Sequence, residues 1–297
     1  MRWLLAFSVF AAGCVAGGPT GTEKKIAGTD TGGDPVLVGA GDIAECRGDE
    51  LTARLLDSIP GTVFTAGDNA YYYGTLEDFA RCYTPSWGRH RARTRPSPGN
   101  HEFRITGGSD YFTYFGDNAG DPSKGYYSYD LGTWHIVSLN SNCVEVGGCE
   151  AGSAQEKWLR ADLAEHPAKC TAAYWHHPLF SSGQHGGTPK MMVDIWKDLY
   201  DAGAEIVING HDHDYERFAP QDPSGKADSD RGIREFVVGT GGASLRKFPR
   251  KPVKNSEAHD DRTWGVLKLT LHAGSYEWEF IPVPGSKFAD SGSWPCH

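Results

Sequence analysis

The sequence predicts an α/β fold, arranged as a four-layer α/β/β/α sandwich with two mixed sheets. From residue 36 onward, strand-like and helical segments alternate, which is typical of βα units with parallel strands. The C-terminal third is instead mostly strand, which indicates antiparallel strands added late in the chain. A layered sandwich accounts for both parts better than a single doubly wound sheet does.

The individual elements are predicted from apolar runs and their spacing. The predicted strands are VLVGAG (36–41), TVFTAG (62–67), YYSYDL (126–131) and WHIVSLN (134–140) as a hairpin, CTAAYWH (170–176), EIVING (205–210), REFVVG (234–239), WGVLKLTL (264–271) and YEWEFIPV (276–283). The predicted helices span 50–58, 75–87, 154–165 and 191–202.

The composition favours a globular protein that does not bind nucleic acid. The 297 residues are 39% hydrophobic and carry a formal net charge of -9. This chain is too apolar to be disordered, and a nucleic-acid binder normally presents a clear basic face. Any phosphate handled here is therefore expected to be small or to be held by metal ions.

One basic segment departs from this charge balance. In GRHRARTR, Arg89, Arg91, Arg93 and Arg95 alternate just before a predicted strand. Such a run is usually a solvated face, but it can also steer an anionic substrate toward a site. The sequence leaves both interpretations open.

The N-terminus is typical of an exported protein. Residues 1–13 combine Arg2, an apolar run and small residues, as a secretory signal peptide does, and the run is too short to span a membrane. Cys14 follows directly, which resembles a bacterial lipoprotein cleavage site and makes Cys14 a candidate lipid anchor. Residues 14–34 predict a flexible tether, so we expect the folded domain at 35–297. The protein is expected to be a lipoprotein at the cell surface or facing the periplasm, or to be secreted.

The other six cysteines predict structural disulfides, because an even number in an exported chain normally pairs. The simplest arrangement joins Cys143 to Cys149 across a Gly-Gly loop, and then Cys46 to Cys82 and Cys170 to Cys296. Metal binding by cysteine is disfavoured, since no CxxC spacing occurs.

Residues that can bind metals follow several of the predicted strands. They are Asp42, Asp68, Asn100, His101, His176, His211 and His213. Any one of them alone would usually be a helix cap or a packed residue. Because loops at the carboxyl ends of strands in an open α/β sheet meet at one crevice, we expect these side chains to converge.

The residue types in this group favour two transition-metal ions. Carboxylates can bridge two cations, imidazoles suit iron or zinc, and an asparagine oxygen adds a neutral ligand. A calcium site would contain more oxygen and less histidine.

Five motifs in a fixed order carry a family resemblance. GDIA, GDNAY, GNHE, YWHHP and GHDH, within residues 36–220, resemble the signature blocks of the calcineurin-like metallophosphoesterases, which implies a metallophosphatase-like fold. Many members carry Asp-x-His in the first block, whereas Ala44 takes the histidine position here. Purple acid phosphatases instead use a tyrosine three residues after the second-block aspartate, and Tyr71 stands at that spacing from Asp68. The chain therefore resembles the purple acid phosphatase branch.

The resemblance also implies the domain content. Plant members carry an extra N-terminal β-domain, and here only a short tether precedes the first motif strand. We expect a bacterial, short, single-domain form.

The resemblance implies seven ligands for two metal ions. Asp42, Tyr71 and His213 bind one ion, Asn100, His176 and His211 bind the other, and Asp68 bridges them. In the family the first ion is Fe(III) and the second is Fe(II), Zn(II) or Mn(II). Spacing selects Tyr71 over the two tyrosines that follow it, and His176 over the adjacent histidine.

Two histidines are candidate catalytic residues. His101 adjoins a proposed ligand, where it could give the leaving alkoxide its proton or hold a phosphate oxygen. His185 lies close to where the family carries a substrate-contacting histidine, although a mobile surface position is the alternative. Glu102 and Asp212 are expected to accept hydrogen bonds from the metal-bound imidazoles.

Together these features predict a phosphatase that hydrolyses small phosphate monoesters with hydroxide generated at a dinuclear metal centre. A phosphodiesterase or nucleotidase with the same centre is one alternative, because fold and ligands do not set the leaving group. A non-catalytic surface protein that uses the metal site for binding or adhesion is the other.

Overall fold

The structure is a computed structural model that describes residue 1 and residues 33–249 and 251–297. All strands and helices given below lie in one compact unit, Asp34–His297. Apart from residue 1, the predicted signal peptide and Cys14 lie outside the described residues, as does most of the predicted tether. None of the described helices has the length and apolar character that crossing a membrane would require.

Strands of the described chain form two mixed sheets. They are β1 (Val36–Ala40), β2 (Thr62–Ala66), β3 (Thr94–Ser97), β4 (Tyr127–Leu131), β5 (Trp134–Ser138), β6 (Cys170–Tyr174), β7 (Ile206–Asn209), β8 (Tyr215–Phe218), β9 (Arg234–Val238), β10 (Ser256–Asp260), β11 (Gly265–His272), β12 (Ser275–Pro282) and β13 (Asp290–Pro295). The first sheet has the order β13-β12-β11-β1-β2-β3, and the second β10-β8-β9-β7-β6-β5-β4. β1, β2 and β3 are parallel, as are β5, β6, β7 and β9; the other neighbours are antiparallel.

Helices cover the outer faces of both sheets. They are α1 (Asp49–Ser58), α2 (Leu76–Asp78), α3 (Asn100–Phe103), α4 (Ser109–Phe115), α5 (Ala154–Glu165) and α6 (Pro189–Asp201). Leu56 of α1 packs in the same core as β1 and β2, while Leu159 of α5 and Trp196 of α6 pack against the second sheet. Ser153 caps α5 by accepting the Glu156 N–H at 3.2 Å, as an N-cap serine does.

The buried apolar residues form two clusters, and β6 contributes to both. Ala172 and Tyr174 of β6 belong to the cluster that contains the first sheet, whereas Ala173 belongs to the cluster beneath α5 and α6. Successive strand residues face opposite sides, so a strand buried on both faces must lie between two other layers. The predicted four-layer sandwich with two mixed sheets is confirmed.

The helix predicted at 75–87 is wrong in its extent. α2 ends at Asp78, a π-helical turn follows over Phe79–Tyr83, and a 3-10 segment covers Trp87–Arg93. Pro85 lacks the amide hydrogen that a continuous helix would need there.

The sequence patterns do not predict β8, β10 or β13. The segment DSGSWP of β13 has little intrinsic strand preference. It forms because β12 offers a complete edge, with which β13 pairs from Asp290 to Pro295.

The expected cysteine pairing is confirmed. Disulfides join Cys46 to Cys82, Cys143 to Cys149 and Cys170 to Cys296. The third bond connects the first residue of β6 to the residue that follows β13, and so ties the second sheet to the first. Three disulfides are typical of proteins that mature outside a reducing cytosol.

The arginine run, which ends inside β3, is used for packing. Arg89 pairs with two acidic side chains of α1, both at 2.8 Å. Arg93 donates to two backbone carbonyls near the end of α1, and the Arg91 guanidinium lies 5.0 Å from the centre of the Tyr114 ring. Arg95 donates to an asparagine side chain at 3.1 Å. These contacts favour the structural interpretation over a substrate-steering patch.

Candidate metal centre

Three predicted site residues stand in the same kind of turn. Asp42, Asp68 and His211 each lie two residues beyond the end of a parallel strand, β1, β2 and β7 respectively. Their φ angles are +57°, +49° and +71°. Left-handed backbone is uncommon for residues with a Cβ, and such strain clusters at functional sites. The shared turn brings side chains from both sheets together.

Motif glycines permit the close approach of these turns. A Cβ at Gly99 would lie 2.2 Å from Oδ1 of Asp68, and one at Gly210 would lie 2.5 Å from Oδ2 of Asp42. Both contacts are too short for any other residue. The glycines of GNHE and GHDH therefore leave room for the two carboxylates.

Asp42, Tyr71 and His213 form a first set of donor atoms. The Tyr71 hydroxyl oxygen lies 2.9 Å from Asp42 Oδ1 and 3.2 Å from His213 Nε2, and those two atoms are 3.3 Å apart. Ligands at about 2.1 Å from one ion lie roughly 3.0–3.5 Å from one another. This triangle therefore matches the spacing of three ligands on one ion. Tyr72 and Tyr73, in contrast, are 47% and 50% exposed.

Asn100, His176 and His211 form a second set. Nε2 of His176 lies 3.1 Å from Asn100 Oδ1 and 3.2 Å from His211 Nδ1. These distances again match donors that share one ion. His176 is fully buried, so its Nε2 faces the other donors rather than solvent.

Asp68 lies between the two sets. Its Oδ2 is 3.3 Å from the Tyr71 oxygen and 3.2 Å from His176 Nε2. Its Oδ1 accepts the backbone N–H of His101 at 2.9 Å, which fixes the carboxylate. One carboxylate oxygen thus adjoins both donor sets, which is the position that a bridging ligand needs.

Backbone carbonyls orient two of the imidazoles. Nδ1–H of His176 donates to the Ala66 carbonyl at 2.9 Å, and Nδ1–H of His213 donates to the Ser244 carbonyl at 2.8 Å. These bonds engage Nδ1–H and point Nε2 of each ring at the carboxylates, as in metal-binding histidines.

The expected roles of Glu102 and Asp212 as acceptors for these imidazoles are wrong. Glu102 accepts the backbone N–H groups of Gly99 and Asn69 at 2.7 and 2.8 Å. Asp212 accepts the backbone N–H of His185 at 2.7 Å. Both carboxylates therefore hold loop backbone, because the carbonyls of Ala66 and Ser244 already accept the imidazole N–H groups.

Electrostatics in the site fit a cation-binding donor set. Burial opposes ionisation of Asp68, yet the His176 and His101 rings hold the pKa of Asp68 well below its usual value. Burial lowers the pKa of His176, but the Asp68 charge outweighs it and raises that pKa to about 9. Burial and the His176 charge lower the pKa of His211, so this ring is neutral. Carboxylate, phenol, amide oxygen and imidazole together suit a pair of mid-row transition-metal ions.

Tyr71 is protonated in this environment. Burial raises the pKa of its phenol well above the usual value, and the Asp42 and Asp68 charges raise it further. Its hydroxyl therefore donates to Asp42. Metal binding must displace this proton, since a phenolate is the ligand form.

His101 lies at the edge of the donor sets. Its Nδ1–H donates to the Tyr72 carbonyl at 2.8 Å, and its Nε2 is 3.7 Å from Asp68 Oδ2. The ring is 7% exposed and lies against Tyr71, with centroids 4.3 Å apart. Nε2 is therefore the atom available to a substrate.

His185 lies beside His211 of the second donor set. Its ring centroid is 4.3 Å from that of His211, so the structure places it at the site. Its Nε2 contacts the guanidinium of Arg246, whose backbone N–H donates to the His213 carbonyl at 3.0 Å. Burial and the Arg246 charge lower the pKa of His185, which makes a neutral ring the resting form.

Arg246 and His177 also lie beside the donor sets, and the sequence did not predict this position for either. Nδ1 of His177 lies 2.8 Å from the Ser141 hydroxyl, and its ring centroid is 4.4 Å from that of His211. Burial lowers the pKa of His177 to about 3, so the ring is neutral. The second histidine of YWHHP is visible in the sequence, whereas no motif marks Arg246.

The fold and the two donor sets define an α/β/β/α protein with candidate ligands for two metal ions. A family model for calcineurin-like phosphoesterases matches residues 35–215, and the chain belongs to that family. Purple acid phosphatase 21 of Arabidopsis thaliana is 32% identical over 246 residues, which cover 72% of this chain and 52% of that protein. The expected resemblance to purple acid phosphatases is confirmed.

Two solved structures share the fold. A purple acid phosphatase from yellow lupin (Lupinus luteus) seeds has a TM-score of 0.73 at 21% identity, covering 88% of this chain and 53% of that one. The anchor in the inner membrane complex of Plasmodium has a TM-score of 0.69 at 11% identity, covering 89% and 90%. At these identities the likeness concerns the fold alone. The chain spans 38% and 52% of the length of two Arabidopsis relatives, purple acid phosphatases 15 and 21.

Proposed function

We propose that this protein hydrolyses phosphate monoesters at a dinuclear metal centre. The proposed ligands are Asp42, Tyr71 and His213 for one ion, Asn100, His176 and His211 for the other, and Asp68 for both. The observation that carries the proposal is Oδ2 of Asp68, which lies within 3.3 Å of donors from each set. A carboxylate so placed holds two cations close enough to act on one phosphate group.

Two bound ions would supply Lewis acidity toward the phosphate oxygens and would lower the pKa of water, so that a nucleophile exists at neutral or acidic pH. We propose Fe(III) for the set with Tyr71, because carboxylate and phenolate are more anionic than amide and imidazole. Fe(II), Zn(II) or Mn(II) would suit the set with Asn100.

His101 is the proposed proton donor to the leaving group. Its Nδ1–H is engaged by the Tyr72 carbonyl, which leaves Nε2 to give a proton or to bind a phosphate oxygen. Its ring faces the carboxylate between the donor sets, where the phosphate must lie. General acid catalysis by a histidine is effective when it is held within hydrogen-bond reach in this way.

His185 and Arg246 are proposed to contact the phosphate from the other side. Asp212 holds the His185 backbone at 2.7 Å, and the guanidinium of Arg246 adds a fixed positive charge beside the ring. Arginine suits phosphate because its planar fork offers several donors at once.

We also propose that the protein acts outside the cytoplasm. Three disulfides support export, and residues 1–13 with Cys14 supply a candidate signal and lipid anchor. Mass spectrometry of the mature protein from a native-type host would detect the lipid on Cys14, and an unmodified N-terminus upstream of Cys14 would contradict the anchor.

The central test is hydrolysis by purified, metal-loaded protein, with elemental analysis of the same sample. We expect two ions per chain and a higher kcat/KM for phenyl phosphate than for the diester bis(4-nitrophenyl) phosphate or for a nucleotide. A reversed preference would favour the phosphodiesterase or nucleotidase. Two retained ions without hydrolysis would favour a non-catalytic binding protein, a role with which this fold is compatible because fold does not fix function.

A further inference from the structure

A cavity of about 350 Å³ opens beside the second donor set. Asn100, a proposed metal ligand, forms part of its wall, and Ser141 and His177 form a polar part of the lining. Small-molecule sites are commonly concave, mostly apolar and of about 300–1,000 Å³. The cavity therefore continues from the place where the phosphate would bind.

Much of the cavity wall is apolar. It includes Phe103 from α3, Met191 from α6 and Val144, whose surface is 93% exposed. At the rim, Arg104 and Glu145 carry opposite charges, so the cavity does not favour a strongly anionic group. The lining of the cavity best suits an apolar group about the size of an aromatic ring.

The loop that carries Val144 is held rigidly. The Cys143–Cys149 disulfide closes it, and the Gly148 N–H donates to the Cys143 carbonyl at 2.7 Å. The Asn142 side chain donates to the Gly99 carbonyl at 3.2 Å, which ties the loop to the GNHE turn. A wall that is ordered before binding loses less entropy when a ligand enters.

We propose that this cavity binds the leaving group of the substrate and selects phosphate monoesters of apolar, ring-sized alcohols, such as aryl phosphates. The inference rests on the proposed function. With the phosphate at the metal centre, the ester oxygen can direct its substituent past Asn100 into the cavity. In the reaction, water oxygen bonds to phosphorus, the ester P–O bond breaks, and the leaving oxygen takes a proton to give a phenol.

The test compares phenyl phosphate with glycerol 2-phosphate in metal-loaded Phe103→Ala, Val144→Ser and native protein. We expect kcat/KM for phenyl phosphate to fall about tenfold in Phe103→Ala, by less in Val144→Ser, and that for glycerol 2-phosphate to change less than about twofold. Ile105→Ser is the matched control, since Ile105 is 63% exposed nearby but does not line the cavity. Equal losses for both esters, or no loss for either, would overturn the proposal.

Binding measurements separate this proposal from the proposed function. The affinities of metal-loaded native protein and of the well-exposed Val144→Ser variant are measured by calorimetry for phenylphosphonate and methylphosphonate. The proposal requires tighter binding of phenylphosphonate and a smaller preference in the variant, even if no ester is hydrolysed. Equal affinities would overturn the proposal, whereas a preference without hydrolysis would count against the proposed function alone.

Discussion

Two clusters of histidine and aspartate in this protein have similar composition and different hydrogen bonding. In the metal centre, each outer imidazole N–H of His176 and His213 goes to a backbone carbonyl. In the second cluster, both ring nitrogens of His135 face carboxylates, Asp130 at 3.0 Å and Asp162 at 2.9 Å. The first arrangement leaves Nε2 of each ring facing the candidate metal ligands, and in the second both nitrogens contact carboxylates.

The second cluster is held together from within. Ser128 donates to Asp162 at 2.6 Å, and the ring of His166 lies parallel to that of His135, with centroids 5.0 Å apart. Although burial opposes protonation, hydrogen bonds that the His135 ring donates to Asp162 and Asp130 raise the pKa of His135. The two carboxylates therefore favour the protonated form of the His135 ring. His135, Asp162 and His166 lie close enough together to resemble a metal site. Both nitrogens of His135 are already paired with carboxylates, however, so the resemblance is one of distance alone.

The comparison teaches that the partner of the outer imidazole nitrogen decides the function of a histidine–carboxylate cluster. A backbone carbonyl engages one ring N–H and leaves the other nitrogen to bind a metal ion, which displaces any proton on that nitrogen. A second carboxylate favours the charged ring and forms an ion pair. The following changes test this difference, from the largest expected effect to the smallest.

Asp68→Asn should remove metal and activity together. The carboxylate oxygen near both donor sets is replaced by a weaker, neutral ligand, so we expect kcat/KM to fall by more than the roughly 100-fold known for outer-sphere changes. Metal content by elemental analysis and phenyl phosphate turnover are measured side by side. His135→Gln is the control and should keep both metals; its loss of metal would contradict the proposed difference between the clusters.

His101→Ala should retain metal and lose rate. Removal of a proton donor costs about 10²- to 10⁴-fold in kcat when the ligands stay in place. The rate loss should shrink for an ester whose leaving group is a weaker base, such as 4-nitrophenyl phosphate. A metal-free variant would instead indicate that His101 supports the site structurally.

Tyr71→Phe should abolish any visible absorption of the metal-loaded protein. A phenolate bound to Fe(III) gives a charge-transfer colour, and phenylalanine cannot form it. The spectrum of the loaded protein is the measurement, and Tyr72→Phe is the matched control because Tyr72 is 47% exposed. A native protein that is colourless and fully active would exclude Fe(III) without excluding the two-metal phosphatase.

His135→Gln should lower stability in a pH-dependent way. The folded pKa of His135 is raised above the unfolded value of 6.5, so its stabilisation is complete below that value and is lost as pH rises through the folded pKa. We expect a loss of about 1–3 kcal/mol at pH 5.5, from a broken buried hydrogen-bond network. The difference from native protein should narrow above pH 6.5, and thermal melts of both at several pH values provide the measurement. A difference that is constant with pH would show that folding does not raise the pKa of His135.

Much of the fold and the site could be predicted because their signals are local. Apolar runs give β1, β2 and β6, and the residues that follow such strands converge because parallel strands end at one edge. β13 could not be predicted, since a paired edge 10 or more residues away in sequence creates it. Arg246 could not be predicted for a similar reason, because its contact with His185 joins residues 61 positions apart in the sequence.

The partners of Glu102 and Asp212 show a further limit. Residue types and spacing indicate that carboxylates stand near the imidazoles. They do not indicate that carbonyls of Ala66 and Ser244 have already taken the imidazole N–H groups. Such competition is settled by backbone geometry, which the motif letters do not contain.

The Cys170–Cys296 disulfide restrains the edge strand β13. β13 is a weak outer strand, and a frayed strand is a point of entry for proteases and for pairing with foreign chains. A covalent link from its end to the interior of the other sheet limits how far it can peel away. The bond thus limits the exposure of this edge strand to proteases and to pairing with other chains.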